Sequence, residues 1–336
     1  MTTIRDVANQ LHISIATVSR ALDGYFDVAE DTRQLVIRTA QEMGYVPNRA
    51  ARQLRRQKAE TIGFIIPSIA PRFDEPYFME FISGIGEELS GKNFDLLVAN
   101  ATTDEMEKNL YQRWVNSRKV DGFILNRMSA HDWRVQYLTK SKIPFVALGK
   151  SQDGVDYPCI RIDGLDGYLG LVNHILERGF SRFAFVGGLS ELTIHIDRLE
   201  WFQNALRKYG LESNPDRILL TDMTITAGYE AANQLLSQNQ PPDAILCVND
   251  ETASGALEAA RERGLKIGTD IAIAGFDGVK DSEHTVPPLT TLDIPVPEIG
   301  RQLVKMLLAT LQNEALPENE IIIRPNLLIR ASTSGR

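Results

Sequence analysis

From Thr61 onward the chain is written in short apolar runs separated by stretches of helical period, and this alternation restricts the fold most. Thr61-Ile62-Gly63-Phe64-Ile65-Ile66-Pro67 shows no polar alternation, as expected of a strand covered on both faces. Residues 96–99, 120–126 and 144–149 repeat the pattern with helical stretches between them. The scheme restarts near Arg161, with strands predicted at 182–187, 218–220, 243–249 and 271–277. Strand and helix in alternation predict open parallel sheets with helices on both faces. V-D-G-F-I-L-N, helix, P-F-V-A-L-G in the first half echoes P-D-A-I-L-C-V-N, helix, I-A-I-A-G-F-D in the second. We therefore expect two related α/β lobes, with the carboxyl ends of their strands facing a ligand cleft.

Residues 2–58 follow a different rule. Thr3 and Asp6 form a T-x-x-D capping box, and Val7, Ala8 and Leu11 share one face of the helix that follows. His12-Ile13 breaks it, and Ser14 caps a second helix. There Val18, Ala21 and Leu22 point inward, leaving Ile15, Ala16, Ser19, Arg20 and Asp23 outward. A third helix, about 30–43, buries Leu35, Val36, Ala40 and Met43, and Gly44 ends it. Two short helices and a tight turn, the second helix presenting small groups and one arginine, read as a helix-turn-helix. Ile15 and Ala16 suit thymine methyls, and Arg20 alone can fork onto guanine O6 and N7.

The charge distribution agrees. The formal net charge is −8, yet residues 1–58 carry nine basic and six acidic side chains, which leaves −11 on the remainder. A basic arm on an acidic body suits a protein that offers nucleic acid one end only. A chain of 336 residues, 43% hydrophobic, has room for two or three cores. The N-terminus is polar, with no signal-peptide pattern and no membrane-length apolar run, so a cytoplasmic location is expected. Cys159 and Cys247 lie in strand-like runs and read as buried thiols. There is no G-x-x-x-x-G-K-[ST], no dinucleotide fingerprint, no H-E-x-x-H and no G-x-S-x-G. We expect neither enzyme activity nor a metal or other cofactor.

T-I-R-D-V-A, S-x-A-T-V-S-R-A-L, G-Y-V-P-N-R-A-A-R-Q-L and, far downstream, G-F-D-G and V-P-P-L-T-T-L-D-I-P resemble the LacI/GalR family of transcriptional regulators, nearly end to end. The resemblance implies a helix-turn-helix headpiece (1–46), a hinge helix and linker (47–59), and a two-lobed core like that of periplasmic binding proteins. Its N-terminal lobe would comprise 60–162 and 292–322, its C-terminal lobe 163–291 and 323–332, with Pro287-Pro288 to Ile294 as the return crossing. The helix at 297–312 would belong to the first lobe.

It also implies roles for residues. Thr3, Ser14, Thr17, Ser19 and Asn48 would cap helices or hold phosphates, and Ile15, Ala16 and Arg20 would meet base edges. Residues 48–56 would order on DNA beside a partner hinge, with Leu54 wedged into the minor groove among Arg49, Arg52 and Arg55. In the cleft Arg198, Asn249 and Asp277 would hold sugar hydroxyls. Read from the residues alone, Tyr77 and Phe78, after the Asp74-Glu75-Pro76 turn, would form a stacking wall, with Arg127 after the strand ending at Asn126 and nearby Asp132 as further candidates, and Asp250 as a helix cap. Three positions depart from the family pattern. Ala29 stands where a capping Ser or Thr is usual, and Gly149 and Met223 replace a hydroxyl-reading aspartate and a pocket tryptophan of lactose-type repressors. A galactoside is therefore disfavoured within the sugar class. Trp201 either faces the cleft or packs beneath its helix.

The expected function is a ligand-responsive, sequence-specific DNA-binding regulator, a repressor by family, acting as a homodimer on a pseudo-palindromic operator under control of a small molecule, a sugar or a sugar derivative such as a sugar acid. Its partners are double-stranded DNA and that effector. No heptad closes the tail, so a tail-built tetramer is not expected. The alternative is a sugar-binding receptor of the periplasmic type without DNA function, which the arginine-rich headpiece opposes. A sugar-processing enzyme is opposed by the motif search.

Overall fold

The computed structural model describes residues 2–46, 58–68 and 75–334. These divide into two compact units, with the boundary between Ala59 and Glu60.

The first unit holds three helices, α1 (Ile4–Leu11), α2 (Ile15–Leu22) and α3 (Glu30–Glu42). Both halves of the predicted capping box form. The Asp6 amide donates to Thr3 Oγ1, and the Asp6 carboxylate accepts from the Thr3 amide at 2.8 Å. His12 takes a left-handed conformation (φ 53°) to end α1, and the Thr17 amide donates to Ser14 Oγ at 3.0 Å to start α2. Val7, Ala8, Val18, Ala21, Val28, Val36 and Ala40 make the small core. Two expectations fail here. Leu35 is 42% exposed; Val36, Thr39 and Ala40 are the buried residues of α3, at i, i+3 and i+4. Ser19 is buried rather than outward, because it follows Val18 on the edge of α2 that turns toward the neighbouring helices. Ala29 is the N-cap of α3 and makes no side-chain cap.

The second unit contains two six-stranded sheets. The first, in the order β11-β5-β4-β3-β1-β2, joins β1 (Thr61–Ile66), β2 (Asp95–Asn100), β3 (Gly122–Leu125), β4 (Phe145–Leu148), β5 (Cys159–Ile162) and β11 (Glu320–Ile323). Every pairing in it is parallel. The second, in the order β12-β10-β9-β8-β6-β7, joins β6 (Phe183–Gly187), β7 (Ile218–Leu220), β8 (Ala244–Cys247), β9 (Ala272–Asp277), β10 (Thr290–Asp293) and β12 (Asn326–Leu328). Only β12 runs antiparallel to its neighbour.

The helices between strands are α4 (Pro76–Leu89), α5 (Asp104–Asn116), α6 (Trp133–Ser141), α7 (Leu165–Glu177), α8 (Thr193–Lys208), α9 (Ile225–Leu236), α10 (Asp250–Glu262) and α11 (Val296–Gln312). The chain passes between lobes after β5, after β10 and between β11 and β12, and α11 returns to pack on α4 in the first lobe. That crossing is close because a Cβ at Gly84 would stand 2.0 Å from the Pro297 carbonyl oxygen. Along β1 the side chains divide between layers. Ile62, Phe64 and Ile66 meet Phe78, Phe81 and Ile85 of α4, whereas Ile65 joins Tyr111, Trp114 and Phe123 on the α5 side. Both β1 faces are thus dry, which explains its unbroken apolar run.

Candidate functional site

On the headpiece the outward face of α2 carries Ile15, Ala16 and Arg20, all exposed. Ser14 and Thr17 sit at its N-terminus with their hydroxyls 2.8 Å apart, beside the amides that a phosphate oxygen would meet. Thr3 Oγ1 is turned to the Asp6 carboxylate at 2.8 Å. Ser19 Oγ reaches Asp23 Oδ2 at 3.5 Å from a buried position, so it does not share that outward face. The Arg20 guanidinium pairs with Asp27 and lies 5.2 Å from the Tyr25 ring centroid, which holds the base-reading candidate off the helix surface. Asn48, Arg49, Arg52, Leu54 and Arg55 lie outside the described residues.

The second candidate site is the cleft where the strand ends of the two sheets converge. Its cavity is about 80 Å³ and opens in part to solvent, lined by residues of both lobes. Arg198, on the second turn of α8, donates from Nη1 to the Val248 carbonyl and from Nη2 to Asp277 Oδ1 at 2.9 Å. Its guanidinium lies 3.6 Å from the Phe276 ring centroid. Burial pushes the Asp277 carboxyl up, while the guanidinium of Arg198 pulls it the other way. Asp277 ends β9 at φ +107°, a backbone that L-residues seldom adopt, and thereby turns its carboxylate into the cleft.

From the first lobe, Arg127 follows β3 at φ +49° and donates from Nη2 to both Glu75 oxygens, at 2.7 and 2.5 Å. Tyr77 borders the same space, its hydroxyl accepting from Asn126 Nδ2 at 3.3 Å. Asn249 lines the cleft but is already engaged. Its Oδ1 caps α10 through the Thr252 amide at 2.9 Å, and its Nδ2 donates to the Met223 carbonyl at 3.2 Å.

Three sequence candidates take other places. Phe78 is fully buried against Phe64, 6.1 Å between centroids, and reaches the site only as the ring beneath Arg127 at 4.7 Å. One residue apart on a helix, Tyr77 and Phe78 cannot face the same way. Asp132 caps α6 and pairs with Arg134, away from the cleft lining. Asp250 is the first residue of α10; Asn249 is the cap, and the Asp250 carboxylate accepts from Thr291 Oγ1 at 2.6 Å and the Val279 amide at 3.0 Å.

Other lining residues escaped the sequence reading. Glu75 was visible only as part of a turn before α4, and Asp197 only as the neighbour of Arg198. Trp201 does both things allowed for it: it borders the cleft and stacks on Phe276, with centroids 6.5 Å apart and planes at 21°. At Gly149 (φ +100°) a Cβ would stand 3.2 Å from Met128 Cγ and 3.4 Å from Thr193 Oγ1. A side chain there would press into a contact between lobes, since Thr193 donates from its amide and its hydroxyl to the Met128 carbonyl, at 2.9 and 3.1 Å. Beside it the Ala130 amide donates to the Glu191 carbonyl at 2.9 Å, so this edge of the cleft is closed. Among the described residues no group of His, Cys, Asp and Glu is placed to hold a metal ion, and no helix is long and apolar enough to cross a membrane.

A helix-turn-helix unit joined to a two-lobed core, with paired charges lining the space between the lobes, defines a ligand-binding regulator of the DNA-binding class. The comparisons agree. Residues 3–48 match the model for bacterial regulatory proteins of the lacI family, and 172–333 match a periplasmic binding protein-like domain. The chain is 32% identical over 332 residues to the HTH-type transcriptional repressor CytR of Escherichia coli K12, covering 98% of this chain and 96% of CytR. It is 34% identical over 335 residues to the transcriptional regulator AglR of Rhizobium meliloti, covering 98% and 94%. Among solved structures it resembles the Lac repressor dimer bound to operator and the anti-inducer ONPF, with TM-score 0.83, 26% identity and 99% of both chains covered. It also resembles the regulator CelR in complex with cellobiose, with TM-score 0.76, 26% identity, and 99% and 100% covered. The chain belongs to the lacI family of bacterial regulatory proteins.

Proposed function

We propose that this regulator is a repressor that binds a pseudo-palindromic operator as a homodimer and is released from it, or held on it, by a small sugar in the interlobe cleft. One observation carries the effector reading: Arg198–Asp277 of one lobe and Arg127–Glu75 of the other face the same cavity, giving directional donors and acceptors that hydroxyl groups satisfy. The CelR–cellobiose complex supports the class of ligand, and the Lac repressor–operator complex supports the DNA partner. In this reading Tyr77, Arg127, Arg198, Asn249 and Asp277 bind the effector, with Asn249 acting through its carbonyl-anchored amide. Ile15, Ala16 and Arg20 read bases, and Thr3, Ser14 and Thr17 hold phosphates. Asn48, Arg49, Arg52, Leu54 and Arg55 supply the hinge contacts, and Ser19 is withdrawn to a packing role. The sign of control follows from linkage, because the effector must prefer one arrangement of the lobes over the other.

The test is a thermal-shift screen of the full chain against monosaccharides and disaccharides, paired with selection of bound duplexes from a random pool. A sugar at about a hundred times its Kd adds roughly 2.7 kcal/mol, and the selected duplexes should share a palindrome whose affinity that sugar changes. Failure to select any common sequence at low salt refutes the operator reading. A sugar that binds without altering duplex affinity refutes the control.

A further inference from the structure

We infer that the cleft is built for a neutral polyhydroxylated ring, with Asp197 as the specificity residue that turns anions away and Trp201 as the surface on which the ring stacks. This rests on the sugar reading of the cleft and narrows it.

Among the described residues, the charges that line the cavity are three carboxylates, Glu75, Asp197 and Asp277, against two guanidiniums, Arg127 and Arg198. Both guanidiniums are already committed, Arg127 to Glu75 through two contacts and Arg198 to Asp277 at 2.9 Å. Asp197 is the remainder. It is half-buried on the lining, and among the described residues no hydrogen bond or ion pair engages it. The cation that influences it most is Arg161, which is itself tied to Glu320 at 3.1 Å.

An incoming carboxylate or phosphate would find both guanidinium charges already neutralised, and could take one for itself only by displacing Glu75 or Asp277 from a buried pair. The displaced carboxylate would then be desolvated without a partner, and the ligand would still face Asp197. A hydroxyl asks for none of this. It donates to Asp197 or to the free Oδ2 of Asp277, and its oxygen accepts from the arginines without breaking their pairs.

The second half of the inference comes from helix geometry. Asp197 and Trp201 are four residues apart on α8 and therefore neighbours on one face. The indole is fixed by Phe276, and by Tyr168 with centroids 6.2 Å apart at 49°. Gly164 makes room for it, since a Cβ there would stand 2.6 Å from Trp201 Cζ3. A rigid aromatic face beside an unengaged carboxylate, with Leu148, Ile162 and Ile294 lining the same space, suits a sugar ring with its C–H surface on the indole and its hydroxyl rim toward the acid.

The experiment is calorimetric titration of the full chain with glucose, galactose, maltose and cellobiose. Each series is extended to glucuronate, galacturonate, cellobionate and glucose 6-phosphate. We expect at least one neutral sugar to bind and its anionic counterparts to bind at least tenfold more weakly. Asp197→Asn, a near-isosteric change at a half-exposed position, should weaken the neutral sugar on the order of 10- to 100-fold and narrow the gap to the acid. Trp201→Leu should weaken neutral and charged sugars alike. A sugar acid or sugar phosphate that binds as tightly as its neutral partner overturns the inference while leaving the sugar reading intact. Asp197→Asn that binds every compound like the parent overturns it as well. No binding by any compound removes the sugar reading, and this inference with it.

Discussion

Asp277→Asn is the perturbation whose cost the structure defines best. Asparagine keeps the shape of the side chain and tolerates the positive φ at this position better than alanine would, so the change isolates the charge. The side chains of Arg198 and Asp277 are only 4% and 7% exposed, so solvent screens little of their interaction. Removing one partner of a buried pair leaves the other charge uncompensated, at about 3–5 kcal/mol. The Val248 carbonyl and the Phe276 ring still meet the guanidinium, which puts the expected loss near the lower end. In urea, with a slope of about 3 kcal/mol per molar, the midpoint should fall by roughly 1 M. Tryptophan fluorescence reports it, because Trp201 stacks on the neighbouring Phe276. Adding Arg198→Met removes the stranded charge but leaves the Val248 carbonyl without its donor, at about 1–3 kcal/mol. The double variant should therefore be more stable than Asp277→Asn alone. A single variant within about 1 kcal/mol of the parent, or a double variant less stable than the single, refutes the buried-pair account.

Three further outcomes follow from the geometry. Ala29→Ser should stabilise the headpiece by about 1 kcal/mol, since α3 has no side-chain cap and Glu30 is occupied by Arg33 and Gln34; amide exchange along α3 reads it, and unchanged protection counts against it. Arg20→Ala should cost about 1–3 kcal/mol on a selected duplex and relax preference at one base pair, whereas Asp27→Asn, which frees the guanidinium from an exposed pair, should tighten binding to any duplex; equal losses on specific and random DNA for Arg20→Ala would remove its base-reading role. Burial raises the Asp197 carboxyl against the pull of Arg161 and Arg198, with Glu200 adding to the rise. The ionised acceptor is therefore lost at higher pH than for a free carboxylate, and neutral-sugar affinity should hold near pH 7 and decline on acidification before a free aspartate would protonate; Asp197→Asn should flatten that profile, and a parent profile already flat would sink the assignment.

Much of this molecule was legible because its signals are local. A capping box needs only the spacing of Thr3 and Asp6, and a strand buried on both faces needs only an unbroken run such as 61–67. The strand ends carrying Asn126-Arg127, Asn249 and Asp277 were legible for the same reason, since the last residue of a parallel strand falls at the crevice wherever the sheet sits.

What the sequence hid depends on which side of a helix meets a neighbour. In α3 the periodicity permits two stripes one residue apart. Tertiary packing chose the one through Val36, Thr39 and Ala40, which left Leu35 in solvent. The same ambiguity separated Tyr77 from Phe78 and hid Asp197 beside Arg198. An aspartate next to an arginine in sequence reads as its partner, yet consecutive residues on a helix diverge, and Arg198 reaches instead to Asp277 across the fold. That long-range choice is what leaves Asp197 unengaged. Among the described residues the paired charges fix the shape of the cleft, while the unpaired carboxylate of Asp197 leaves it one negative charge in excess, and a ligand meets the second as soon as it enters the first.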